Sequence, residues 1–271
     1  MLKQRVITAV ILAVLVVGTL LFAENFWVRL LFSLVLWLSV QELLNLTIKI
    51  PQPLKLILAT LFSIFFWFSL EFMDHTWLYW QSLADTFVWL LITIALFYYR
   101  QHGNYSLLTR VLLLGLGLDL LWICTHSLIY LHEQHGVEVL LFLFSLVWIA
   151  DIGAYFSGRR FGKHKLAPLI SPGKTWEGVA GGVVLNLIWI GLVYQMFDGW
   201  GVPLPAFVLI ACLASAFSVV GDLFESILKR EAGVKDSGRL LPGHGGVLDR
   251  IDGVIAAAPV FVAGLMVVAA T

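Results

Sequence analysis

Nine stretches of this chain are almost unbroken runs of apolar residues, at 6–23, 26–46, 54–72, 77–99, 107–130, 138–156, 178–197, 203–224 and 252–270. A helix needs roughly 20 such residues to cross the hydrocarbon of a bilayer. The pattern therefore predicts an all-α integral membrane protein with about nine transmembrane helices. A hydrophobic share of 60% over 271 residues agrees, because soluble domains carry far less. The first run follows Lys3 and Arg5 as a signal peptide would. No small-x-small cleavage site comes after it, so an uncleaved first helix is expected. Pro51, Pro53, Pro172, Pro203 and Pro205 fall between runs or at their starts, where a missing N–H does no harm. Trp77, Tyr79, Trp80, Tyr98, Tyr99, Tyr130 and Trp200 sit near predicted ends, as an interfacial belt requires.

Lysine and arginine fix the expected orientation. Alternate connections place Lys3, Arg5, Lys49, Lys55, Arg100, Arg110, Arg159, Arg160, Lys163, Lys165, Lys174, Lys229, Arg230, Lys235, Arg239 and Arg250 on one side, with Arg29 alone towards the other. The positive-inside rule then puts the N-terminus in the cytoplasm. The formal net charge is zero, so no overall field draws nucleic acid. Cys124 and Cys212 lie inside apolar runs without CxxC spacing, which argues against a metal or disulfide framework.

Polar chemistry gathers in Gly221–Asp252, between the last two runs. Ser215, Ser218, Asp222, Ser226 and Lys229 recur at helical spacing and share one stripe facing the bundle interior. The serines alone read as helix–helix contacts. Asp222 with Glu225, Lys229 and Arg230 reads as a site, because charge near the membrane interior is costly. Beyond them, Gly243, Gly245 and Gly246 permit close backbone approach around His244, which either orders the loop or donates to a phosphate. Asp249 alone fits a helix cap; with Arg250, Asp252 and the glycines it fits a site. Asp222 and Asp249, brought together from two helices, would suit Mg²⁺, which takes one or two carboxylates plus phosphates and water. Basic side chains beside them would neutralise phosphate oxygens. Those are the parts of phosphoryl or nucleotidyl transfer.

The other long connection carries Arg159, Arg160, Lys163, Lys165 and Lys174 among glycines, with Asp151 in the apolar run before it. Gly173-Lys174-Thr175 looks like the end of a P-loop, but Pro168 stands where the first glycine belongs. His126, His132 and His135 have no metal-ligand spacing. Asp119 and Glu42 read as helix–helix contacts, although Glu42, beside Gln41, could border the site.

The run Ser226-x-x-Lys229-Arg230, Lys235-Asp236 and Pro242-x-His244-Gly245-Gly246-x-x-Asp249-Arg250-x-Asp252 resembles the signature of the phosphatidate cytidylyltransferases, or CDP-diacylglycerol synthases. Ser171 to Gly178, with Asp151 before it, resembles the family's upstream element. The resemblance covers 148–252 well, and the first 140 residues only as membrane helices. It implies transfer of the cytidylyl group of CTP to phosphatidate at the cytoplasmic face of the bacterial inner membrane, Mg²⁺ dependence and a homodimer. It also implies Asp222 and Asp249 as metal ligands. Ser226, Lys229, Arg230, His244 and Arg250 would hold phosphates, Asp252, Lys235 and Asp236 would orient them, and Asp151 and Lys174 would seat the nucleotide, with Gly245 and Gly246 lining the site. Residues 1–135 would be scaffold, with possible dimer contacts, and 136–271 the catalytic region. Two rival readings make distinct demands. A CTP-dependent lipid kinase would release CDP instead of pyrophosphate, and a secondary transporter needs paired broken helices and repeat symmetry.

Overall fold

The computed structural model describes residues 2–100, 105–241 and 243–270. Pro242 of the signature and the side chains of Lys3 and Arg5 lie outside what is described. The helices are α1 (Leu2–Phe22), α2 (Asn25–Thr47), α3 (Gln52–Phe72), α4 (His75–Tyr98), α5 (Leu107–Tyr130), α6 (Val137–Phe161), α7 (Trp176–Phe197), α8 (Leu204–Glu231) and α9 (Leu248–Ala269). Among the described residues, α2 to α9 are long and apolar enough to cross a membrane, and the apolar part assessed in α1 is Ala13–Phe22. The protein is thus a multi-pass, all-α membrane protein.

Side chains mark several helix starts. Asp74, Ser106 and Thr175 accept the backbone N–H of Trp77, Thr109 and Gly178, satisfying donors that a first turn leaves open. Pro53 and Pro205 stand in first turns, where no N–H is needed. Where the observed bounds depart from the apolar runs, they do so at polar ends. α6 continues to Phe161, α8 to Glu231, and α9 begins at Leu248. The apolar ruler stops at the first charges, whereas helical hydrogen bonding does not.

One element was not expected. Residues Lys165–Ala167 and Ser171–Thr175 form a small antiparallel hairpin, β1–β2, between α6 and α7. Its base is tied to α7 by Glu177, whose carboxylate accepts the N–H groups of Lys163 and His164 and pairs with the His164 ring at 2.6 Å.

Two helix pairs dominate the packing, α6 with α7 and α8 with α9. The first pair closes on glycine: a Cβ at Gly153 would lie 2.8 Å from the Cα of Gly182. In lipid, where apolar burial gives no drive to associate, such close backbone approach gives the contact its dispersion energy. α9 is the most buried span and packs on α4, α5, α6 and α8, with Ala256, Ala257 and Ala258 fully buried.

The end of the bundle away from the hairpin holds Arg29. Its Nε and Nη2 donate to both Glu133 oxygens at 2.6 and 2.9 Å, and Nη1 lies 3.5 Å from Glu71. The pair fastens α2 to the π-helical turn Leu131–His135 after α5. Arg29→Ala is expected to lower stability by about 1 kcal/mol, read as a lower melting temperature in detergent, with turnover unchanged.

Candidate active site

The α8 stripe faces inward, and Ser215, Ser218, Ser226 and Lys229 are all buried. Its two ends do different work. Ser215 accepts from Asn186 of α7 at 2.6 Å, a helix–helix contact of the bland kind. Further along, Ser226 donates to Asp222 at 3.3 Å, and Lys229 lies between carboxylates of α8 and α9.

Lys229 is the most constrained of these groups. Its ammonium bonds Glu225 one turn back and Asp249 of α9, the latter at 2.7 Å. The side chains of Glu225 and Asp249 are only 2% and 6% exposed, so Lys229 is their main counter-charge, and Oε1 of Glu225 is buried without a hydrogen-bond partner among the described residues. The second oxygen of Asp249 accepts from Ser237 N at 2.8 Å, Gly246 N at 2.8 Å and Ser237 Oγ at 2.9 Å. Asp249 therefore holds the connection between α8 and α9 in place. Gly245 makes this possible: its φ is +82°, and a Cβ there would meet the Asp249 carboxylate at 2.6 Å. Leu241 and Gly245 bridge the turn, and the buried Nδ1 of His244 has no partner among the described residues.

A second group lies beside the first. Lys174, on β2, pairs with Asp222 at 2.6 Å. Asp222 and Lys174 both act electrostatically on Asp252 of α9, and Asp151 of α6 feels Lys174, Asp222 and Arg250. Gly221 sets this spacing, since a Cβ there would strike the carbonyl oxygen of Asp252. The carboxylate of Asp252, like that of Asp151, lies within electrostatic reach of Asp222. Asp249, expected beside Asp222, is engaged by the Lys229 ammonium and the backbone N–H groups of Gly246 and Ser237, and shares the single proton of the Ser237 hydroxyl with Glu42.

The hairpin closes one flank. Arg230, expected to hold phosphate, donates through Nε to the carbonyl of Ile170 at 3.1 Å and through Nη1 to that of Val234 at 3.5 Å. Lys235, Asp236 and Arg250 are exposed around the same end of the bundle. Among the described residues, no group of three or more His, Cys, Asp or Glu side chains is arranged to hold a metal ion.

Sequence reasoning passed over Ser237, which joins the loop to Asp249. It gave Glu42 mainly the bland reading. Yet Glu42, buried on α2, accepts from Val247 N at 3.0 Å, Leu248 N at 2.8 Å and Ser237 Oγ at 2.9 Å. Its signal was an ionisable residue inside an apolar run, far along the helix from that helix's one basic residue, Arg29.

Carboxylates, ammonium groups and the His244 imidazole gather at one end of the helix bundle, a set of groups suited to binding anions. The chain belongs to the cytidylyltransferase family, whose model matches residues 3–268. It is 37% identical to a phosphatidate cytidylyltransferase of Haemophilus influenzae over 96% of this chain and 97% of the relative. A phosphatidate cytidylyltransferase of Pseudomonas aeruginosa is 39% identical over 97% of this chain and 96% of its own. One from Brucella suis is 51% identical across 135 residues, 49% of this chain and 48% of the relative. Membership makes the protein a nucleotidyltransferase.

Proposed function

We propose that this protein joins CTP and phosphatidate to form CDP-diacylglycerol and pyrophosphate. The observation that carries the reading is the group Asp151, Lys174, Asp222, Arg250 and Asp252, contributed by α6, the hairpin, α8 and α9 at one end of the helices. One substrate is anchored in the bilayer by acyl chains and the other dissolves in water. Their phosphates meet only at the headgroup plane, and the charged helix ends suit that depth. The segregation of Lys and Arg supports a cytoplasmic face of the bacterial inner membrane for this end, and a cytoplasmic N-terminus.

In the reaction an oxygen of the phosphatidate phosphate attacks the α-phosphorus of CTP. A new P–O bond forms, the bond to the bridging oxygen breaks, and pyrophosphate leaves with the electron pair. A phosphate monoester is anionic near neutral pH, so no strong base is needed, and catalysis is mainly positioning and charge stabilisation. Lys174 and Arg250 meet the phosphates, His244 donates to one of them, and Lys235 and Asp236 flank the entrance. Lys229 keeps two buried carboxylates compatible with each other, and Arg230 fixes the hairpin, so both serve the site through other residues. Ser226 orients Asp222.

Asp222 and Asp252, carboxylates of α8 and α9 within electrostatic reach of one another, suit a divalent cation of the magnesium kind, which accepts one or two carboxylates plus phosphates. Asp249 would join them only by giving up Lys229. When bound, the ion would neutralise charge building up on the phosphate oxygens. Residues 136–271 form the catalytic region on this reading and residues 1–135 the scaffold, with pairing of two copies through the latter.

The test is incubation of purified protein with phosphatidate, labelled CTP and Mg²⁺. CDP-diacylglycerol and pyrophosphate should appear in equal amounts. Release of CDP with a phosphorylated lipid would overturn the proposal.

A further inference from the structure

We infer that Glu42, from the scaffold half of the chain, is a positioning residue of the active site; this rests on the reaction proposed above. Its two carboxylate oxygens take two backbone donors and share a third, the single proton of the Ser237 hydroxyl, with Asp249. Oε1 takes the N–H of Val247, while Oε2 takes the N–H of Leu248 and the hydroxyl of Ser237. Val247 and Leu248 begin α9, and their amides are among those a first turn leaves unpaired. α9 has no side-chain cap of its own at Val247. A carboxylate from α2 supplies it across the bundle, and negative charge at a helix N-terminus is favoured by the helix dipole.

The contact reaches the site through Ser237. The same hydroxyl lies 2.9 Å from Glu42 and 2.9 Å from Asp249, and its oxygen accepts the Asp249 N–H at 3.3 Å. Asp249 in turn bonds Lys229, and Lys229 bonds Glu225. Glu42 thus sets where α9 starts and how the Asp249 carboxylate is turned. The connection also leaves no side-chain space for alternatives: a Cβ at Gly238 or Gly246 would strike the Glu42 carboxylate. Burial explains why the group is an acid. Only a carboxylate presents acceptors on both oxygens, whereas an amide would direct its own N–H groups at donors.

The test compares Glu42→Gln and Ser237→Ala with the wild type, per folded molecule, in detergent. Each should lower kcat by about 10- to 100-fold, the range for residues that orient a site through another group. The double variant should be no slower than the slower single one, because both remove the same linkage. Arg29→Ala, matched for loss of stability, should keep wild-type kcat. Hydrogen exchange at Val247 and Leu248 should speed up in Glu42→Gln, a readout independent of which substrates are used. Wild-type kcat in Glu42→Gln, or multiplying effects in the double variant, would overturn the inference. If Glu42→Gln does not fold, an unchanged kcat in Ser237→Ala does the same. A wild type that makes no CDP-diacylglycerol would instead sink the proposed reaction, and the exchange result would still judge the role of Glu42.

Discussion

Lys229→Met is expected to lose both turnover and stability, in the larger measure of any single substitution in this site. Methionine matches the length and volume of the lysine stem, so packing is kept and only the ammonium is removed. Glu225 and Asp249, almost fully buried, then face one another without their shared cation. Removing one member of a buried charged group typically costs about 3–5 kcal/mol, because the remaining charge is stranded. Turnover should fall by about 10³-fold or more, as Asp249 loses the orientation that holds the Gly246 and Ser237 amides. Thermal unfolding and initial rates of CDP-diacylglycerol formation check the two parts separately. A second removal, Glu225→Gln in the Lys229→Met background, should restore part of the stability and none of the activity.

Asp222→Asn separates chemistry from stability. The pair of Lys174 and Asp222 is about one-quarter exposed on each side, at 24% and 28%. Ion pairs in such settings contribute about 0–1 kcal/mol, so the variant should unfold close to the wild-type temperature. Its turnover should nevertheless fall by at least about 10²–10³-fold, the loss seen when one preorganised group stabilising developing charge is removed. Asp252→Asn should behave alike if the two carboxylates share a cation, and raising Mg²⁺ should then recover part of the rate in either variant. Asp249→Asn should differ from both. Its amide nitrogen would confront the donors of Ser237, Gly246 and Lys229, so activity and thermal stability should drop together. Near-normal rates in Asp222→Asn would remove that residue from the reaction.

The membrane architecture was legible because the apolar runs are long. Asp222 and Lys229 stood out for the same reason, as charges where charge is expensive, and their helical spacing placed them on one face. Other features had no such carrier. Glu42 bonds residues 195 to 206 positions away, and no local spacing encodes a contact of that kind. Strands of three and five residues, holding proline and glycine, are too short to show alternation. Asp249 and Asp252 lie one turn apart on α9, and the sequence pattern paired Asp249 with Asp222. Gly221 lets α8 approach α9 at Asp252, and Ser237 bonds Asp249 to the loop, contacts that no local spacing encodes.

The central seat of α9 bears on how the molecule is made. This span emerges from the ribosome after α2 to α8, yet α4, α5, α6 and α8 all pack against it. The earlier segments must therefore enter the bilayer and keep a slot vacant until α9 arrives. Its run of alanines suits late entry, since a narrow rod slides between neighbours already in place. On the reaction proposed above, Lys229 meets Asp249 only at that moment, so turnover begins with the arrival of α9.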